Sequence, residues 1–164
     1  MDDIFYPLHS FKEQFTLVPT IINHEKLALK KNIITCGMGG SAISISLLGI
    51  LFPELPITLH NGYGMPNVSD PENTLIIINS YSGNTEEMLD VMTLVHESGI
   101  PYAALSCGGK LIEQVAFYGA PHITLPSIGV EPRFAIGHQI LSLLTLIGEN
   151  GKAESLRKSV EAFD

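Results

Sequence analysis

One stretch, Asn79-Ser80-Tyr81-Ser82-Gly83-Asn84-Thr85-Glu86-Glu87, gathers hydroxyls, amides and a glycine between two very different segments. Before it runs the apolar Leu75-Ile76-Ile77-Ile78, and after it residues 88–96 repeat with the period of an amphipathic helix. The small polar residues therefore sit where a strand hands over to a helix. The first amides of a helix lack intrahelical partners and carry the positive end of its dipole, so a phosphate settles there. Ser80, Ser82 and Thr85 would add donors without adding charge. Capping alone accounts for Asn84-Thr85-Glu86-Glu87, because Asn and Thr cap helices and carboxylates suit a helix start. It does not ask for Ser80, Ser82 and Gly83 as well, so anion binding is the stronger expectation.

A second copy of the arrangement lies upstream. Asn32-Ile33-Ile34-Thr35-Cys36 reads as a buried strand, Gly37-Met38-Gly39-Gly40-Ser41 as a turn, and 42–52 as an apolar helix. Paired strand–turn–helix units are what a parallel sheet needs to hold a phosphorylated ligand at the carboxyl ends of its strands. Gly37-x-Gly39-x-x-Ala42 also fits the dinucleotide fingerprint. That fingerprint further asks for an acid near the end of the second strand, and Thr58-Leu59-His60-Asn61-Gly62-Tyr63 has none. No dinucleotide, no other cofactor and no metal are expected.

The elements that must position these turns alternate along the chain. Strands are expected at 32–36, 57–60, 74–79, 102–105 and 122–125, and helices at 41–52, 86–97, 110–117, 132–147 and 153–163. Residues 3–30 read as a helical arm broken at Pro19, with Ile4, Phe5, Leu8, Phe11 and Phe15 at helical spacing. Strands separated by helices pair in parallel, since a parallel neighbour needs a crossover. Their continuous apolar runs fit a sheet covered on both faces. The expected fold is a three-layer α/β/α sandwich around a five-stranded parallel sheet.

Composition narrows the partners. The 164 residues suit one domain, with 45% hydrophobic and only 16% charged residues. The net charge of −8, from 9 basic and 17 acidic residues, argues against nucleic acid, whose binding rests on clustered Lys and Arg. Cys36 and Cys107 form no metal-ligand spacing and read as reduced thiols. Met1-Asp2-Asp3 is acidic where a secretory signal would be basic. The longest apolar stretch, 134–147, is interrupted by His138, Gln139, Ser142 and Thr145 and is shorter than the ~20 residues of a membrane span. A cytoplasmic protein without a membrane partner is expected.

Four blocks, in order, match a known pattern: Gly37-Met38-Gly39-Gly40-Ser41-Ala42, Asn61-Gly62-Tyr63-Gly64-Met65-Pro66, the Ser80–Glu87 block, and Glu131-Pro132-Arg133-Phe134-Ala135-Ile136-Gly137. The chain resembles the sugar isomerase (SIS) domain, and more closely the N-terminal half of the bifunctional phosphoglucose/phosphomannose isomerases. The resemblance implies a flavodoxin-like SIS domain at 31–150, after an N-terminal arm at 1–30. A C-terminal helix at 151–164 would then lead toward a second SIS domain. It implies phosphate contacts from Ser41, Ser80, Ser82 and Thr85, and close backbone approach to the sugar at Gly39, Gly40 and Gly83. Arg133 matches the arginine beside the reacting carbons, where a fixed cation would stabilise an enediolate. A salt bridge with Glu131 is the plainer reading of that arginine.

Isomerisation also needs a general base. In the family a glutamate from the second SIS domain serves, and a histidine from a neighbouring subunit assists ring opening. Neither matches a position here. Glu131 and His138 are the local candidates, with His60 at the edge of the site. His9, His24, His96 and His122 rank lower. The apolar helix at 132–147 points to burial against a homodimer partner or a second SIS domain. The expected function is phosphosugar binding within an aldose–ketose isomerase of glucose 6-phosphate or mannose 6-phosphate and fructose 6-phosphate. The alternative is a non-catalytic phosphosugar sensor acting through a protein partner.

Overall fold

Six residues, Thr74–Asn79, form a strand buried at every position, and the rest of the fold is arranged around it. The computed structural model describes residues 11–162. Its strands are β1 (Asn32–Gly37), β2 (Ile57–His60), β3 (Thr74–Asn79), β4 (Tyr102–Ser106) and β5 (His122–Thr124). They lie in the order β2-β1-β3-β4-β5 with every pairing parallel. The helices are α1 (Gly39–Leu51), α2 (Glu86–Ser98), α3 (Gly109–Phe117), α4 (Ile136–Leu146) and α5 (Asn150–Glu161).

Alternate side chains of the strands go to opposite faces, and each face has its own core. Ile33, Leu75, Ile77, Ala103, Leu105 and Ile123 pack with Ile45 and Leu48 of α1, the leucines of α4 and Ala153 of α5. Ile34, Cys36, Ile76, Ile78 and Ala104 pack with Met88, Val91, Met92 and Val95 of α2 and with Leu111 and Val115 of α3. Two helices thus cover one face and three the other. This is the α/β/α sandwich, on a five-stranded parallel sheet, that the strand–helix alternation implied. Strand order reverses at the β1/β3 boundary, where α1 and α2 leave toward opposite faces; such a switch point opens a crevice at the carboxyl ends of the strands.

Two elements depart from expectation. The described part of the arm, 11–30, is not a helix: it holds two short 3-10 turns, Lys12–Thr16 and His24–Lys26, and Ile22 bridges to His122 at the sheet edge. Val18, Thr20, Ile21 and Ile22 are β-branched and flank Pro19, a combination that disfavours helix. Ile4, Phe5, Leu8 and His9 lie outside the described residues. The helix expected over 132–147 is split into a 3-10 turn, Pro132–Phe134, and α4, with Ala135 out of helical geometry between them. Gln14 holds the break. Its Nε2 donates to Phe134 O (2.5 Å) and its Oε1 accepts from Gly137 N (3.0 Å).

Nine of the eleven residues of α4 are buried by the chain itself. Its apolar character therefore gives no argument for a partner subunit. Exposed apolar side chains are spread over the surface, Phe117 of α3 the most exposed among them, and three, Ile43, Ile50 and Leu51, share α1, a helix without a charged residue. Among the described residues, no helix is long and apolar enough to cross a membrane.

Candidate functional site

Each strand end contributes a turn, and the turns are stitched to one another. Ser41, third residue of α1, is buried, and its Oγ accepts from Tyr81 N (3.1 Å). That bond ties the β1–α1 turn to the β3–α2 turn. Ser80 is also buried, with its Oγ 2.9 Å from Thr85 Oγ1 across the turn. Ser82 is exposed, and its Oγ accepts from Asn84 N (3.2 Å). Asn84 Oδ1 in turn accepts from Lys110 N (3.1 Å), joining this turn to the first residues of α3. Cys107 N donates to Tyr81 O (2.9 Å) and Leu111 N to Gly83 O (2.9 Å), which bind the β3–α2 and β4–α3 turns together.

Gly83 is required for that contact. Its φ of +70° disfavours other residues, and a Cβ there would overlap Gly108 O. Gly40 serves a second close approach: a Cβ at that position would lie 2.6 Å from Arg133 N and 2.7 Å from Pro132 Cβ. The arginine turn is thereby packed onto the start of α1. Gly39 has open space around its Cα.

Between these turns lies a hollow of about 410 Å³, lined by Tyr81, Ser82, Cys107, Gly108, Gly109, Ser127, Val130 and Pro132. The lining holds hydroxyls, backbone and apolar surface but no carboxylate, imidazole or ammonium. Of the four hydroxyls expected to meet phosphate, Ser82 lines the hollow, while Ser41 and Ser80 hold the turns from beneath. From the sequence Cys107 reads only as a reduced thiol, and Gly108, Gly109 and Ser127 carry no expectation. Gly108-Gly109 follows the apolar strand β4 and opens a helix, which was the available signal. Burial raises the Cys107 thiol above its ordinary range and pushes Cys36, at 0% exposure, up to about 12. Neither cysteine is disulfide-bonded.

Arg133 stands beside the hollow, next to Pro132. It pairs with Glu131, its guanidinium 5.3 Å from the Phe134 ring centroid, and both charged side chains are exposed. An exposed pair of this kind contributes about 0–1 kcal/mol, so it holds the arginine only loosely. His138 is buried and lines a different cavity, with Gln14, Leu17, Pro126 and Ile128. Desolvation lowers its pKa below 6.5, so the imidazole is neutral. The 126–130 loop separates the two spaces: Ser127 and Val130 line the first, Pro126 and Ile128 the second. The other described histidines are also away from the hollow. His60 ends β2, His24 pairs with Glu25, His96 stacks on Tyr118, and His122 Nδ1 meets Ala120 O at 2.9 Å. No group of three or more His, Cys, Asp or Glu among the described residues is arranged to hold a metal.

No protein-family model matches the chain. Curated proteins do. A bifunctional phosphoglucose/phosphomannose isomerase of Caldicellulosiruptor bescii is 36% identical over 143 residues, which are 85% of this chain and 41% of that protein. The chain belongs to the sugar isomerase (SIS) family. The fold agrees with solved SIS structures. The sugar isomerase domain of an RpiR transcription factor from Sphaerobacter thermophilus superposes with a TM-score of 0.57 at 18% identity, covering 95% of this chain and 96% of that one. The Vibrio vulnificus NanR protein, solved with ManNAc-6P, gives a TM-score of 0.55 at 15% identity over 94% of this SIS chain and 63% of its own. The chain spans only 34% to 52% of the length of the bifunctional isomerases it matches.

Proposed function

We propose that this SIS domain binds a sugar phosphate in the hollow and forms part of an aldose–ketose isomerase acting on glucose 6-phosphate or mannose 6-phosphate and fructose 6-phosphate. One observation carries the reading. Turns from the carboxyl ends of the parallel strands converge on a space walled by a serine hydroxyl, glycine backbone and the start of a helix, with no carboxylate to repel an anion. Its volume of about 410 Å³ lies within the roughly 300–1,000 Å³ of small-molecule sites.

In this reading the Ser82 hydroxyl and the Gly109 amide at the start of α3 hold the phosphate, with Ser41, Ser80 and Thr85 fixing the turns that present them. Gly39 leaves open space for the sugar at the start of α1. Arg133 releases Glu131 and stabilises the charge that develops when the proton beside the carbonyl is removed. The ionisable groups that line the hollow, Tyr81 and Cys107, are held protonated by burial, which favours a base supplied from outside it. A second SIS domain, in a longer chain or a homodimer, fits that need better than Glu131 or His138. The two unpaired cysteines go with a cytoplasmic setting.

Titration calorimetry with fructose 6-phosphate, followed by a coupled assay for its conversion, tests the reading. Saturable binding is expected, with turnover once the second domain is supplied. Absence of binding overturns it. Binding without turnover in any assembly would favour a phosphosugar-sensing module.

A further inference from the structure

Beneath the hollow lies a polar network sealed from solvent. Asn79, Ser44 and Gln139 are each 0% exposed. Asn79 Nδ2 lies within hydrogen-bond distance of Ser41 O (3.3 Å), Ser44 Oγ (3.2 Å) and Gln139 Oε1 (3.1 Å). Ser44 Oγ donates to Ser41 O (2.7 Å) and sits 3.2 Å from Gln139 Oε1. At the other end of the same carboxamide, Gln139 Nε2 donates to Pro132 O (2.9 Å) and Ala135 O (3.4 Å). One side chain therefore reaches from the end of the central strand to the peptide that joins Pro132 to Arg133.

Burying a carboxamide among the leucines of α4 is costly unless its groups are paired. Rescue of orphaned carbonyls does not explain it. Pro132 O already accepts from Ala135 N (3.2 Å), and Ala135 O from Gln139 N (3.2 Å). Gln139 adds a second bond to each. What that second bond does is fix the arginine turn, whose far side is already pressed onto Gly40.

We propose that Gln139 is a positioning residue: through Pro132 O it sets where Arg133 stands relative to Ser82, so that one ligand meets the guanidinium and the phosphate-holding turn together. The proposal rests on the phosphosugar reading above, and its test separates the two.

Calorimetry on the whole chain would compare two probes. One is 5-phospho-D-arabinonohydroxamate, which mimics the planar anionic enediolate; the other is sorbitol 6-phosphate, which offers phosphate without that group. Gln139→Met is expected to weaken the hydroxamate about tenfold, or 1.4 kcal/mol, and to change sorbitol 6-phosphate by less than about twofold. In an Arg133→Ala background the same substitution should cost nothing further on the hydroxamate. Gln139→Asn keeps an uncharged amide but is one methylene too short to reach Pro132 O, and should reproduce the selective loss if the apolar variant fails to fold. Equal loss on both probes, or an undiminished loss without Arg133, overturns the positioning role while leaving the phosphosugar reading in place. If the unaltered chain binds neither probe, the functional reading falls and the inference with it.

Discussion

Ser82 and Ser41 carry the same hydroxyl and have opposite surroundings. Ser82 faces the hollow, while Ser41 accepts a buried amide. Ser82→Ala is expected to weaken sugar-phosphate binding by about 1.5–3 kcal/mol, the range of a hydrogen bond to a charged group, with little change in melting temperature. Calorimetry beside thermal unfolding checks both. The sequence marked each hydroxyl as a phosphate donor, because turn residues look alike until the turn is folded. Which oxygen is taken by a neighbouring amide depends on contacts between turns distant in sequence. His138 gives a second residue-scale expectation. Its folded pKa lies below 6.5 through desolvation, so the unfolded chain binds the proton more readily. The stability from keeping it neutral is complete above the unfolded value and is lost as pH falls through and below it. Denaturant midpoints measured downward from neutral pH should fall in that window, and His138→Phe should flatten that part of the curve.

At the scale of elements, hydrophobic runs carried most of the information. β3 has the bounds that its apolar run suggests, because a strand covered on both faces is written in residues such as Leu and Ile, and the edge strand β2 keeps its expected bounds with only Ile57 and Leu59 apolar. The split before α4 was hidden, since Pro132, Phe134 and Ile136 are compatible with one helix start. The break depends on Gln14, more than a hundred residues away. Segment 11–30 resembles a helix only through the spacing of Phe11 and Phe15, while the β-branched residues around Pro19 dictate extended chain. The β3–α2 turn offers the sharpest test. Gly83→Ala should cost at least about 1–3 kcal/mol from its left-handed backbone alone, and more from overlap with Gly108 O. Gly62, where an added methyl would meet nothing within 4 Å, is the matched control and should tolerate alanine. Urea unfolding of the two variants decides the comparison.

For the molecule as a whole, the first described segment is part of the core rather than an appendage. Phe15 is buried against α4, Gln14 holds the break before it, and Arg157 of α5 donates to Leu17 O through Nε (3.2 Å) and Nη2 (2.8 Å). Removing residues 1–30 should therefore lower the melting temperature by more than about 10 °C, because several buried side chains lose their cover and each 1 kcal/mol is worth roughly 2–4 °C in a domain of this size. A melting temperature within a few degrees of the full chain would show that segment to be dispensable. The hollow carries a different consequence. In the proposed reading the hollow holds an anion through short-range amide and hydroxyl dipoles, whereas the chain bears a net charge of −8. An approaching dianion is then repelled at long range and held only on arrival. The Debye length shrinks from about 30 Å at 0.01 M to about 10 Å at 0.1 M salt. Adding salt across that interval should speed capture of a sugar phosphate, the reverse of what a lysine-lined site shows, and stopped-flow association rates would reveal which sign holds.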